Sequence, residues 1–328
     1  MARLVDIFRR SPPTGPPAPF VVASPRSGTT LLRMMLDAHP ELAIPSETHF
    51  VPEVIEAFDE RRLGPGEVLE MLRSHRRWQD FHLDADELLA RLREREPLDA
   101  GESLRAFFSL YAQSRGGKSR WGDKTPEYVE CMRPISKALP EARFVHVIRD
   151  GRDVAMSRVR WRMKRASKKP PMERLAKRWV KAVAGARKQG HRLPHYLEVR
   201  YEDLIAETEP TLRRICEFIE LDFDPAMLSY HEGAAERLAE IDQTLPETDD
   251  RVALAGSERL SKHEMTTRPP ERDRIFAWRT EMSEEDQRTF ERVAGDLLSD
   301  LGYPTSKEPS TPGPKPAAPG REAEEAVE

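Results

Sequence analysis

Cysteines, long apolar runs, aromatic rings and an excess of one charge are all scarce in this 328-residue chain, and each scarcity removes a class of protein. Two cysteines, Cys131 and Cys216, imply no disulfide framework, and a reducing, cytoplasmic setting is the expectation. Both lie in stretches that read as helices. No apolar run exceeds a handful of residues, so nothing reaches the length of a membrane span, and the region Met1 to Pro19 has no apolar block of signal-peptide length. Fifty-three basic against fifty-seven acidic residues leave a net charge of −4, which argues against a dedicated nucleic-acid binder. The nine histidines form no H-E-x-x-H or other ligand-spaced cluster, so no metal is expected. A large enzyme remains open, because a chain of this length buries a full core without covalent staples.

What is present is organised from the ends inward. Ser11 to Pro19 holds five prolines and Pro304 to Glu328 six with no aromatic residue, compositions that bury too little surface to offset chain entropy. Residues 1–19 read as an arm, 20–303 as one folded domain and 304–328 as a disordered tail. Within the domain, Phe20-Val21-Val22-Ala23 and Phe144-Val145-His146-Val147-Ile148 read as buried strands, and Tyr196 to Tyr201 alternates like a third. Each leads into a helical pattern. Apolar stripes at Met172, Leu175, Ala176, Trp179 and at Leu212, Ile215, Cys216, Ile219 give two core-facing helices, while Asp84 with Glu87 and Ser283 with Asp286 mark helix starts. Alternating strands and helices of these lengths predict an α/β fold: a P-loop-type, mainly parallel sheet with helices on both faces, in a single domain. Ligands in such folds sit at the carboxyl ends of the strands.

The first strand runs into Ser24-Pro25-Arg26-Ser27-Gly28-Thr29-Thr30 and then a helix. Backbone N–H groups at a helix start form an anion cradle, and Gly28 allows close approach to the main chain. Thr29 and Thr30 add hydroxyls; Arg26 adds a forked cation. Measured against G-x-x-x-x-G-K-[ST], the spacing holds but Thr29 replaces the lysine, and the positive charge has moved to Arg26. That suggests a nucleotide other than a magnesium-bound triphosphate.

The run Pro25 to Thr30 resembles the 5′-phosphosulfate loop, P-[RK]-S-G-T-T, of sulfotransferases that use 3′-phosphoadenosine 5′-phosphosulfate (PAPS). Its continuation Leu31 to Pro40 is most similar to tyrosylprotein sulfotransferases and bacterial relatives. Six residues on comes Ser46-Glu47-Thr48, and the resemblance makes Glu47 the catalytic base. Ile148-Arg149-Asp150-Gly151-Arg152-Asp153-Val154-Ala155-Met156-Ser157 is similar to the family's 3′-phosphate signature, implying that Arg149 and Ser157 bind that phosphate. Tyr201 in Tyr201-Glu202-Asp203-Leu204 implies a residue near the nucleotide. Trp121-Gly122-Asp123-Lys124-Thr125-Pro126 resembles a K-[TD]-P element, implying Lys124 at the reaction centre, with Thr125 where the tyrosylprotein enzymes carry Asp. Ala277-Trp278-Arg279 is like a W-R segment of bacterial members, and Arg268, Arg272, Arg274 and Arg279 are all candidates for the nucleotide.

The implied reaction is in-line sulfuryl transfer from PAPS to an acceptor hydroxyl, without a metal. Arg26, Ser27, Gly28, Thr29 and Thr30 would hold the 5′ side, Glu47 would take the acceptor proton, and Lys124 with Arg26 would stabilise developing charge. His39 and His49 flank Glu47 and are substitute bases. Between Arg158 and Arg178 there are ten basic residues and one acid, Glu173, which reads either as a solvated helix face or as a basic rim favouring an anionic acceptor. The acceptor class (carbohydrate, lipid, metabolite or tyrosine) stays open, as does a homodimer. The rival readings are a P-loop kinase of a small hydroxylated metabolite and a non-catalytic anion-binding module.

Overall fold

Side-chain alternation along adjacent strands decides the architecture. The computed structural model describes residues 15–163, 169–248, 252–261 and 263–305. Its strands are β1 (Ala18–Ala23), β2 (Leu42–Ala43), β3 (Arg120–Trp121), β4 (Asp123–Lys124), β5 (Ala142–Ile148) and β6 (Tyr196–Arg200). Four of them form one parallel sheet in the order β4-β1-β5-β6, and β2 pairs with β3 separately. The helices are α1 (Thr29–Asp37), α2 (Val51–Glu60), α3 (Pro65–Ser74), α4 (Ala85–Glu94), α5 (Ala100–Ser114), α6 (Met132–Ala138) and α7 (Gly151–Met163). They continue as α8 (Met172–Gly190), α9 (Tyr201–Ala206), α10 (Thr208–Phe218), α11 (Ala234–Ala239), α12 (Gly256–Ser261), α13 (Trp278–Glu281) and α14 (Glu284–Asp300).

Phe20, Val22 and Phe144 point to one face, where they meet side chains of α2, α5 and α6. Their neighbours Val21, Ala23, Val145, Val147 and Val199 point to the other, against α1, α9 and α10. Burial on both faces is what a parallel sheet requires, and it explains why these strands are continuous apolar runs. The few aromatics are concentrated where they stabilise most: Phe108 stacks on Trp121 at 4.8 Å, and Phe50 meets Phe107 edge-on at the same separation. A third cluster, with Ile148, Val154, Trp179 and Phe290, lies beyond the end of β5 between α7, α8 and α14.

The expected mainly parallel α/β layout with two covered faces is the one observed. Asp84 caps α4 by accepting from the N–H groups of Asp86 and Glu87, and Ser283 caps α14 through the Asp286 N–H. Four boundaries differ. β1 begins at Ala18, held by the Glu141 carbonyl, so the last two residues of the predicted arm belong to the sheet. At the other end Thr305 is still buried. Tyr201 is not the end of β6 but the first residue of α9. Cys131 sits in the turn before α6, leaving only Cys216 inside a helix. Residues 1–14 and 306–328, most of the predicted arm and tail, lie outside the described residues.

Because β1 is flanked by β4 on one side and β5 on the other, chain connections diverge there, and a crevice opens outside the carboxyl ends of the strands. The rim on the β5 side is set by Arg152. This fully buried guanidinium forms two hydrogen bonds to Asp150 (3.0 and 2.7 Å), one to Glu291 (2.7 Å), and lies 3.6 Å over the Trp278 ring. Arg152→Ala takes the forked cation from the buried Asp150 and should cost about 3–5 kcal/mol of stability in a urea titration. A loss below about 1 kcal/mol would show that the rim does not depend on this network.

Candidate functional site

The loop after β1 makes two left-handed turns, at Arg26 (φ 82°) and Gly28 (φ 90°). Gly28 is required twice over, since a Cβ there would also lie 2.4 Å from the Tyr201 ring. No side chain caps α1, so its first-turn N–H groups remain available to a ligand. Ser27 is buried with its hydroxyl donated to the Ser24 carbonyl at 2.6 Å, so its side chain braces the loop from behind. Pro25, Arg26, Gly28, Thr29 and Thr30 line a cleft of about 630 Å³.

Residues from the other strand ends reach the same cleft. Lys124 ends β4, Arg149 follows β5, Ser157 lies two turns into α7, and Tyr201 opens α9 after β6. The Arg26 Nε donates to Ser157 Oγ at 3.1 Å, joining the two predicted phosphate sites. The Arg149 guanidinium lies 4.2 Å over the Tyr201 ring centre and donates to the Arg274 carbonyl at 2.8 Å. Tyr201 therefore serves as a platform, filling the space that Gly28 leaves and backing Arg149 from behind.

Of the four upstream arginines, only Arg274 reaches this cleft. Arg272 donates to the Ala206 carbonyl, the Arg268 carbonyl accepts from Tyr230, and Arg279 covers the Phe276 ring. Arg149 and Arg274 have their nearest carboxylates, Asp153 and Glu271, only at 3.7 Å, while Arg160 is paired with Glu281. Burial first, then the charges of Arg149, Arg158 and Arg160, hold Arg26 below its ordinary value against the opposing pull of Glu47. The Nε atoms of Arg149, Arg158 and Arg274 are buried with no hydrogen-bond partner. Guanidinium groups that repel one another and keep a buried N–H without a hydrogen bond suit an anion.

Glu47 stands on the opposite wall, its side chain 23% exposed. Lys124 Nζ donates to its Oε1 at 2.8 Å, while Arg77 Nη2 and His49 Nε2 each lie 3.2 Å from its Oε2. Burial would raise this carboxyl, but Lys124, the His49 hydrogen bond and Arg77 outweigh it and hold the group well below the ordinary carboxylate range. Lys124 is held below its own usual value, by burial chiefly, with Glu47 opposing. The same ammonium lies 3.4 Å from Thr30 Oγ1, so it bridges the carboxylate and the first turn of α1.

A buried hydroxyl chain sets that bridge. The Val51 N–H donates to Tyr128 Oη at 3.1 Å, and Thr48 Oγ1 contacts both Tyr128 Oη and Asp123 Oδ2 at 2.7 Å. The Thr48 N–H also donates to Thr125 Oγ1 at 3.0 Å. Thr48 has one hydroxyl proton, so with Asp123 ionised the donation runs from Tyr128 to Thr48 to Asp123. The segment bearing Glu47 is thereby tied to the strand bearing Lys124. Thr125, where the sequence departs from the tyrosylprotein pattern, accepts one of these bonds.

Arg77 and the Thr48–Asp123–Tyr128 chain had no signal in the sequence, because each acquires its meaning only through a distant partner. His39 is removed from the site: its Nε2 pairs with the Asp222 carbonyl and its Nδ1 accepts from the Glu41 N–H. The basic stretch divides. Arg158, Arg160 and Trp161 line the cleft, whereas Lys169 pairs with Asp286 and Lys177 with Glu173. Residues 164–168 lie outside the described residues. Among the described residues no cluster of acids, histidines and cysteines could hold a metal, and no helix is long and apolar enough to cross a membrane.

Burial pushes the Asp123 carboxyl up to about 6, against the Thr48 and Thr125 hydrogen bonds and Lys124. A raised acid favours the folded state below its unfolded value and loses that contribution as pH rises through its folded value. The Asp123 contribution, at most ~3 kcal/mol, should therefore fade between about pH 4 and pH 6. Between pH 4 and pH 7 the urea stability of Asp123→Asn should rise relative to wild type by up to ~3 kcal/mol. A constant difference would mean that folding does not raise the Asp123 carboxyl.

Comparison with known proteins gives one consistent match. The model described as "Sulfotransferase family" covers residues 17–225. Protein-tyrosine sulfotransferase 1 of Danio rerio is 24% identical over 308 residues, spanning 92% of this chain and 76% of that protein. A putative protein-tyrosine sulfotransferase of Caenorhabditis briggsae is 27% identical over 290 residues, with 88% and 89% covered. Nodulation protein NoeE of Sinorhizobium fredii is 26% identical over 314 residues, covering 88% of this chain and 66% of its own. Among solved structures, the sulfotransferase domain of the curacin biosynthetic pathway superposes with a TM-score of 0.55 at 20% identity, covering 89% of this chain and 99% of that domain. That of the Synechococcus PCC 7002 olefin synthase does so with 0.55 at 22%, covering 89% and 98%. These two likenesses show the fold.

Proposed function

The chain belongs to the sulfotransferase family and is an enzyme of that kind; from this premise we propose that it moves a sulfuryl group from PAPS to an acceptor hydroxyl, with Glu47 as general base. The observation that carries the proposal is the position of Lys124. Its ammonium touches Glu47 at 2.8 Å and lies 3.4 Å from Thr30, between a proton acceptor and an anion-binding helix start. PAPS supplies a sulfuryl group activated by a phosphate leaving group.

Everything else is done by side chains. Arg26 and the first-turn amides of α1 hold the 5′ side; Arg149, Ser157 and Arg274 hold the 3′-phosphate, and the Nε atoms of both arginines make no hydrogen bond within the protein. Tyr201 keeps Arg149 oriented from behind. Glu47, ionised at neutral pH, accepts a proton at Oε1 or Oε2. Its low basicity means that it takes the proton only as the acceptor oxygen grows acidic during bond formation. Lys124 and Arg26 meet the negative charge that appears on the leaving oxygen.

Thr29, in place of the nucleotide-loop lysine, is what disfavours a kinase. The acceptor is proposed only as a hydroxyl compound. Arg158 in the cleft supports one that carries negative charge. A cytoplasmic setting rests on the low cysteine content alone.

Two experiments test this reading. In a thermal-shift assay 3′,5′-ADP should stabilise the protein and ATP with magnesium should not; the reverse ranking would favour the kinase. With labelled PAPS and source-cell extract as acceptor, Glu47→Gln should lower transfer at least ~100-fold with 3′,5′-ADP affinity nearly unchanged. Arg149→Ala should weaken 3′,5′-ADP binding about 10- to 100-fold. Wild-type transfer by the first variant removes Glu47 as base, and wild-type affinity in the second removes Arg149 from the nucleotide site.

A further inference from the structure

Glu47 is joined to the far wall of the cleft by a line of alternating charge. Arg77, in the turn between α3 and the helical turn Trp78–Phe81, places Nη2 3.2 Å from Glu47 Oε2 and Nη1 3.7 Å from Asp80 Oδ2. Asp80 is 1% exposed, and both its oxygens are taken by the fork of Arg259 on α12, with Nη1 to Oδ1 at 2.8 Å and Nη2 to Oδ2. Arg259, 3% exposed, also donates to the Gln243 carbonyl at 2.9 Å. Two further contacts fasten the same segments. His82 Nε2 lies 3.3 Å from the Glu240 carbonyl, and Arg76 donates to the Val252 carbonyl at 3.3 Å. Leu254, Ser261 and His263, close to Arg259 in sequence, line the cleft.

We propose that Asp80 and Arg259 are positioning residues that hold Arg77 against Glu47, so that the seating of the wall formed by residues 240–248 and 252–261 sets the state of the catalytic carboxylate. The proposal rests on the base role given to Glu47 above. Its logic is the sharing of one guanidinium between two carboxylates. With Arg259 in place, Asp80 already has a two-pronged partner, and Arg77 is free to give its other nitrogen to Glu47. Without Arg259, a buried Asp80 carries an unmatched charge that only Arg77 can answer, and Arg77 is drawn away from Glu47. A wall that is out of place thus leaves the base with a weaker cationic neighbour.

The charged groups facing Glu47 are Lys124 on β4, Arg77 from the turn after α3, His49 on its own segment, and Arg26 across the cleft. Arg259 acts on Glu47 only through Asp80 and Arg77, which makes its effect diagnostic. The readout is the carboxyl ¹³C resonance of Glu47 in glutamate-labelled full-length protein, assigned by its loss in Glu47→Gln and followed against pH. Arg77→Gln should raise the Glu47 midpoint by about one pH unit or more. Arg259→Gln should raise it in the same direction by less. Adding Asp80→Asn to Arg259→Gln should return it toward wild type, since Arg77 then has no competing carboxylate. Arg259→Lys keeps the charge without the fork and should fall between wild type and Arg259→Gln, providing a milder variant if the latter does not fold.

Melting temperature and 3′,5′-ADP affinity are measured alongside. A lower melting temperature with an unmoved Glu47 midpoint in both Arg259 variants means a purely structural pair and overturns the proposal. An unmoved midpoint in Arg77→Gln overturns it at its first link. If wild-type protein fails to bind 3′,5′-ADP, the PAPS reading falls, while the midpoints still decide whether Arg259 reaches Glu47.

Discussion

Four parallel strands end at one crevice, and the cations delivered there exceed the carboxylates available to neutralise them. Arg26, Lys124, Arg149 and Arg274 come from segments with no other reason to meet, and each is partly stripped of water by the sheet and helices behind it. Like charges in a partly desolvated site repel, which opposes the folding of the loops that bear them. The surrounding structure must therefore hold them by force of packing. Tyr201 does this for Arg149 from behind, and the left-handed turns at Arg26 and Gly28 do it for the first loop. A dianionic ligand would relieve what the fold has to restrain.

Charges that do not face the crevice are treated in the opposite way. Arg152, one turn of chain from Arg149, is saturated by Asp150, Glu291 and the Trp278 ring. Asp153 bonds the Trp278 N–H through Oδ1 and faces Arg149 at 3.7 Å. So within the single run Arg149-Asp150-Gly151-Arg152-Asp153 one arginine is kept for a ligand and the other is spent on the fold. The repeated Arg-Asp pattern conceals this division, because strand end and first helical turn send adjacent side chains in different directions.

That contrast also explains how far the sequence could be read. Three of the core strands, the covered faces and the loop Ser24 to Thr30 were legible because their signals are local: apolar runs, a glycine, a helix start. Arg149 and Ser157 were legible for the same reason, lying on one strand–helix connection. Arg77 was not, since its neighbours His75 and Arg76 give it no distinguishing pattern and its role comes from Glu47, thirty residues away. The choice among Arg268, Arg272, Arg274 and Arg279 likewise turned on which way short turns aim their side chains. Thr48 and Asp123 stand in separate motifs, and the pairing of β2 with β3, the segments just before them, accompanies their approach to 2.7 Å.

The single carboxylate at the centre of this positive field follows from the same balance. Lys124, His49 and Arg77 hold Glu47 ionised, a state that burial alone would oppose, so the carboxylate is charged but weakly basic. Lys124 contacts the first turn of α1 as well as Glu47, and Arg26 feels the same carboxylate across the cleft. An anion arriving at that turn competes with Glu47 for both cations. As their charge is diverted, less of it bears on the carboxylate, and its proton affinity rises. Under the proposed reaction, the cation that would secure the donor is also the one that keeps Glu47 weakly basic until the donor binds. The short span from Glu47 through Lys124 to Thr30 makes donor binding and base strength one electrostatic event.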